Sequence, residues 1–311
     1  SLGVVVRPFF HRRLRRLQEY FLLGKLLKNP GRIFISTAGR TDLVLLDRAA
    51  GSVIPPGKAY LYVHWFRPAA GKDDSFRKLA AKQPNVVILA PTESIGNVFT
   101  RSGSAETPVG PYPLPPGDGA MQAAQADFRD LLYAGAARRE KGFSAVVDLV
   151  AFLADAGRDL PVVVQGSPGH YDRVDPETKA DLTRLQSLSR PGLRVCRDTL
   201  DPSSYRDLFR GAICLQPYRR EDFIDRISGV TLDALSVGSP IVATSGTWMA
   251  RVVGRFDAGL AVSDLSPKSL LAAVDVILSD YGRFRANASL AGETLQEENS
   301  GRHLLSILSG G

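Results

Sequence analysis

Only 2 cysteines occur among 311 residues, Cys196 and Cys214. So few exclude a disulfide framework and a cysteine-rich metal cluster. Cys214 lies within the apolar run "AICLQP" (212–217) and Cys196 closes "LRVC" (193–196), so both are expected as buried thiols in a reducing compartment. No apolar run approaches the roughly 20 residues that cross a bilayer. No signal-peptide pattern is visible either. A cytoplasmic protein is therefore expected, with peripheral contact at the inner face of the membrane as the one extension. Short-period repeats and low-complexity tracts are missing too, which sets aside solenoids and tails. Beyond residue 50 neither sign of charge is in excess, with 29 basic and 29 acidic residues. A nucleic-acid binder spreads basic surface over its fold and interleaves stacking aromatics, so no nucleic acid is expected.

The net charge of +7 sits in the first 50 residues, which hold 10 Lys/Arg against 3 Asp/Glu. Its centre is "HRRLRRLQEYFLLGKLLK" (11–28), where Leu14, Leu17, Phe21, Leu22 and Leu26 recur at helical spacing. Two readings stay open. One is an amphipathic helix with its apolar side on the core and its basic side in water. The other is contact of residues 11–28 with an anionic membrane surface or acidic glycolipid.

Apolar runs of β type alternate with helical patterns along most of the chain. The runs are 32–36, 59–66, 85–90, 130–135, 161–166, 193–196, 212–217 and 240–245, with "LAVSD" (260–264) as a ninth. Helical patterns fall at 143–157, 176–188, 204–209 and 231–238. This alternation predicts α/β architecture with parallel sheets. A stretch rich in Pro and Gly, "TPVGPYPLPPGDGA" (107–120), reads as a linker. It divides the chain into residues 1–117, with three clear strands and an incomplete look, and residues 118–311.

Ligands of parallel sheets bind beyond the carboxyl ends of the strands, so the residues after each run carry the interest. After "DLLYAG" comes "AARREKGF", a turn with Arg138, Arg139 and Lys141 that opens a helix near Phe143 and would suit a phosphate. A solvated charged turn is the alternative. After "PVVVQG", the loop "SPGHYD" carries His170, read as a surface histidine or a catalytic one. "KDDS" (72–75) is the only tight Asp pair, read as a solvated loop. After "AICLQP", the stretch "DRISGVTLD" offers Ser228 as a helix N-cap. Gly229 there permits close ligand approach, and the N–H groups of Gly229, Val230 and Thr231 would form an anion cradle beside Arg226. Asp233, one turn into the helix, would accept two hydrogen bonds from a ribose, or merely favour the helix dipole. Asp225 would reach hydroxyls on the far side of the phosphates.

These stretches together resemble glycosyltransferases of the GT-B fold, in particular retaining family 4 (group 1). "DRISGVTLD" has the family's two acids separated by seven residues, with Asp in place of the usual Glu. "SVGSPIVAT" resembles its Gly-x-Pro run, and "YAGAARREKGF" its phosphate loop. "DAGLAVSDLSPKSLLAAVDVILSD" resembles the stretch that closes the donor domain. The likeness is good over 130–285 and weak over 32–117.

The resemblance implies two Rossmann-like domains facing a cleft. The N-terminal, acceptor-side one is short or truncated, and the last helix packs back on it. It implies sugar transfer from an NDP-sugar to a carbohydrate or glycolipid hydroxyl, with retention and without a metal or other cofactor. Arg138 or Arg139, Lys141, Arg226, Ser228, Gly229 and Val230 would bind the donor diphosphate, and Asp233 the ribose. Asp225, and His64 near the acceptor, would be catalytic, although a structural role for His64 is equally compatible. The pattern departs at Ala136, where the family has Arg, at the two Asp residues, and in lacking a Gly-rich first loop. Those departures leave room for a nucleotide-sugar-binding scaffold without turnover, and for a nucleotide-sugar epimerase.

Overall fold

The protein is described by a computed structural model covering residues 8–64, 72–104, 107–112, 114, 127–166, 175–188 and 190–310. The 167–174 loop with His170, the end of the 59–66 run, and most of the Pro/Gly-rich stretch lie outside the described residues.

The chain forms two compact units, residues 1–113 with 299–311, and residues 114–298. The first begins with α1 (Pro8–Lys28), β1 (Ile33–Ile35), α2 (Arg40–Ala50), β2 (Ala59–Tyr62), α3 (Lys72–Lys82), β3 (Val87–Leu89) and α4 (Glu93–Arg101). Its three strands pair in parallel in the order β1-β2-β3. Strand periodicity sends alternate residues to opposite faces. Ala59, Leu61 and Ile88 join Leu43, Leu46 and Phe99 in one core. Tyr62 and Leu89 pack on the other face against Leu304 of the C-terminal helix. "KDDS" opens α3 and is not a loop.

The second unit contains β4 (Asp130–Gly135), α5 (Phe143–Asp155), β5 (Val162–Gly166), α6 (Pro176–Ser187), β6 (Leu193–Cys196) and α7 (Pro202–Asp207). It continues with β7 (Ala212–Gln216), α8 (Arg220–Phe223), α9 (Gly229–Ser236), β8 (Ile241–Thr244), α10 (Trp248–Phe256), β9 (Gly259–Val262), α11 (Pro267–Ser279) and α12 (Tyr281–Glu298). The chain then returns to the first unit as α13 (Gly301–Ser309).

Six parallel strands run in the order β6-β5-β4-β7-β8-β9. Each interior strand is a short continuous apolar run, as burial on both faces demands. Helix α5 adds Phe143, Val146, Val147, Leu149, Val150 and Leu153, all fully buried; each contributes about 1.5–3 kcal/mol. The winding reverses direction between β4 and β7. In an open parallel sheet that reversal leaves a crevice at the carboxyl ends of the two strands. The loops following β4 and β7 are the basic turn and the two-aspartate stretch.

Helix α1 departs from the core-facing reading. Leu23 is buried and Leu27 packs with it, against α2. Leu14, Leu17, Phe21, Leu22 and Leu26 are instead exposed, between 37% and 65%. Among the described residues no helix is long and apolar enough to cross a membrane. Cys214 is buried as expected, but Cys196 is only half-buried.

Candidate functional site at the carboxyl ends of β4 and β7

The β4 loop is positioned by contacts to the exit of β7. After Gly135 (φ +110°) the chain makes a short helical turn at Arg139–Lys141 and enters α5 through Gly142. Gly142 has φ +65°, and a Cβ there would sit 1.8 Å from the carbonyl oxygen of Pro217. Glycine is thus required twice over, by conformation and by contact. The Arg219 N–H donates to the Glu140 carbonyl at 2.9 Å, tying the same two segments together.

That stitching carries Lys141 inward. Its ammonium lies 2.8 Å from the place a Cβ on Gly135 would occupy, and the Val230 side chain lies 3.5 Å from the same point. The Tyr218 ring centroid is 5.4 Å from the ammonium. Burial, then the positive charges of Arg138 and Arg226, bring the Lys141 pKa down to about 8; Glu140 opposes them. Three cations therefore share one small region. Arg138 reaches Glu140 at 3.5 Å and stays beside Lys141. Arg139 turns to Glu177 of α6 at 3.2 Å and is more than half exposed. Of the two arginines, Arg138 is the one whose charge bears on Lys141. Arg226 stacks over Phe223 at 5.0 Å.

Ser228 caps α9, accepting from the Thr231 N–H at 3.4 Å. The cap consumes the Thr231 N–H, so the open cradle is narrower than expected. Gly229 and Val230 keep N–H groups without hydrogen bonds among the described residues, and the space above Gly229 is empty. Thr231 itself faces inward, its hydroxyl donating to Gln216 Oε1 at 2.7 Å, and thereby fixes the start of α9 to the end of β7. The buried Tyr218 hydroxyl faces Ser228 without a well-formed hydrogen bond.

Asp233 lies one turn into α9 and is largely buried. Desolvation raises its pKa to about 6, against the opposing pull of Arg206, a hydrogen bond from Tyr205, and Lys141. Asp225 stands apart from this cluster. Its carboxylate accepts from Arg251 of α10 at 3.0 Å, and the same Arg251 group holds the Ile224 carbonyl at 2.6 Å. Tyr205, Arg206, Gln216, Tyr218 and Arg251 had no sequence signal. Each lies in a helix or strand-end pattern that any buried or solvated residue would satisfy.

His64 belongs to the first unit, just after β2. Its Nε2–H donates to the Ser36 carbonyl at 2.7 Å. Its ring packs 4.5 Å from Tyr62 and 5.5 Å from Tyr112. Among the described residues no three of His, Cys, Asp and Glu stand close enough to hold a metal ion.

No protein-family model matches the chain, and no curated protein is similar to it by sequence search. Solved structures are similar in fold. Anabaena HepE in complex with UDP superposes with a TM-score of 0.67 at 14% identity, covering 94% of this chain and 80% of that one. The trehalose-6-phosphate synthase OtsA gives 0.67 at 15%, covering 99% and 82%. Sucrose-phosphate synthase from Thermosynechococcus elongatus gives 0.62 at 16%, covering 94% and 78%. At such identities the likeness is one of fold. The chain has a GT-B-like α/β architecture with two parallel sheets, the N-terminal one smaller.

Proposed function

We propose that the chain is a retaining glycosyltransferase of the family 4 type. It moves a sugar from a nucleoside-diphosphate sugar to the hydroxyl of a carbohydrate or glycolipid. One observation carries this reading. Lys141, Arg138 and Arg226 converge with the free Gly229 and Val230 amides at the switch point of a parallel sheet, with Asp233 a helical turn away. That arrangement supports a diphosphate held between cations and amides, with the ribose hydroxyls on Asp233. The residues after β4 and β7 form the donor side, and His64 belongs to the acceptor side.

In the reaction the bond from the sugar C1 to the diphosphate oxygen breaks and a bond from C1 to the acceptor oxygen forms on the same face. The acceptor's proton ends on the released diphosphate. Negative charge grows on the leaving oxygen, and fixed cations and amides lower the barrier most where charge develops. Lys141, Arg138 and Arg226 are those cations, and no metal ion is needed in this scheme. Asp225 orients the donor sugar. Ser228 holds the cradle open through its cap, while Arg139 has at most an outer role.

A second reading is favoured by the Asp225–Arg251 pair. A carboxylate already held by a guanidinium is poorly placed for a sugar, as in a protein that binds the donor without turning it over. Calorimetry with UDP, GDP and their sugars, followed by a transfer assay with hydroxyl acceptors, separates the readings. Donor binding with transfer is expected. Binding without transfer or hydrolysis favours the scaffold, conversion of the sugar without acceptor favours epimerisation, and absence of any nucleotide binding ends the proposal.

A further inference from the structure

The outward face of α1 is built the reverse of an ordinary surface helix. Advancing 100° per residue, Leu14, Leu17 and Phe21 fall on one side and Leu22 lies about 80° round from Leu14. That side is opposite Leu23, the residue α1 buries on α2. Exposures of 50%, 54%, 65% and 55% leave these four large side chains in water together. Single exposed leucines are common, whereas a contiguous apolar face of this kind marks a contact surface. Its setting is cationic. Lys25 and Lys28 continue the same side towards the C-terminus and Arg15 falls beside Leu22, all exposed, whereas Arg16 falls beside the buried Leu23. Glu19 is the one acid of the helix and is paired with Arg15 at 2.9 Å. Apart from Leu26, the other exposed large apolar residues described lie outside α1.

We propose that α1 is an interfacial anchor that lies flat on an anionic lipid surface, with Leu14, Leu17, Phe21 and Leu22 entering the acyl boundary and Lys25, Lys28 and Arg15 meeting the headgroups. The charge decides the occupant. A second copy of this chain would present the same basic helix and repel it, and an uncharged apolar partner would leave the flanking cations without partners. A bilayer surface rich in anionic headgroups answers both the apolar stripe and the lysines that continue it. The anchor stands on α1 alone and does not depend on the sugar-transfer reading. It would hold the protein where a glycolipid acceptor resides.

The test is flotation of the full chain with vesicles of phosphatidylcholine alone and of phosphatidylcholine with phosphatidylglycerol, no nucleotide being needed. Binding is expected only to the anionic vesicles and should be lost in high salt. A Leu17→Ser/Phe21→Ser variant should lower the bound fraction at least tenfold. A Lys25→Glu/Lys28→Glu variant should do the same, and both should keep the wild-type melting temperature because the replaced side chains are exposed. With Phe21→Trp, tryptophan emission should move to the blue on addition of anionic vesicles. The proposal is overturned if the wild type ignores anionic vesicles or if the variants bind as well as it does. It is equally overturned if sedimentation reveals a dimer that Phe21→Ser dissolves, since the face would then belong to a second copy.

Discussion

Asp233 is a carboxylate held in a place that disfavours its charge. Burial lifts its pKa to about 6, and Tyr205 and Arg206 offset part of the cost. A ribose needs the ionised form, which accepts both hydrogen bonds. Nucleotide affinity should therefore fall as pH drops through 6, and Asp233→Asn should remove that dependence; calorimetry across pH 5–8 with UDP or GDP reads both. For folding the sign is opposite. The folded protein takes up this proton before the unfolded chain does, so this group's contribution to stability rises as pH falls from about 6 towards 4. Asp233→Ala should weaken nucleotide binding by about 1–3 kcal/mol, the range for charged hydrogen bonds. Unchanged affinity would remove Asp233 from the site. Lys141 behaves as the mirror case. Its pKa is lowered to about 8, and an anion bound beside it would raise that value. Above pH 8, diphosphate binding should be accompanied by proton uptake, visible as a dependence of the binding enthalpy on buffer ionisation heat. Lys141→Ala should abolish that dependence.

At the scale of elements, the site depends on two close approaches that glycine permits. Gly142 brings the β4 loop against the Pro217 carbonyl, and Gly292 of α12 lets α9 approach so closely that a Cβ would lie 2.2 Å from the Leu235 carbonyl oxygen. Gly142→Ala should destabilise by at least about 1–3 kcal/mol, from the left-handed backbone alone. It should also lose nucleotide binding, because the displaced loop carries Lys141. Gly292→Ala should destabilise without altering nucleotide affinity per folded molecule, since it meets α9 at Leu235 and Ser236, at the end opposite the cradle. Denaturant unfolding paired with calorimetry distinguishes these outcomes. Thr231→Val offers an independent check. It leaves Gln216 Oε1 buried without its donor and should cost about 1–3 kcal/mol.

On the scale of the whole molecule, each unit has its own sheet and its own buried cluster. Each could melt as a cooperative body. Scanning calorimetry should show that UDP or GDP raises the transition of the larger unit and leaves the smaller one nearly unmoved. At a ligand concentration about 100 times Kd the gain should be roughly 2.7 kcal/mol. A uniform shift of every transition would mean that the two units unfold together.

Local chemistry determined much of this protein. The strands described are visible as short apolar runs, because burial on both faces of the interior strands favours apolar residues. The Ser228 cap and the cationic turn around Lys141 are equally local, since capping and glycine geometry act over a few residues. Tertiary structure decided what local pattern leaves degenerate. A helix with leucines at regular spacing reads the same whether they face a core or open water, and only the packing of Leu23 on α2 turned the α1 face outward. Arg138 and Arg139 are neighbours of identical charge, and only Glu177 on a distant helix drew one away. Tyr205 and Arg206 reach Asp233 across 27 or more residues of chain. Pairings of that kind are set by the order of strands in the sheet, which no short stretch of sequence encodes.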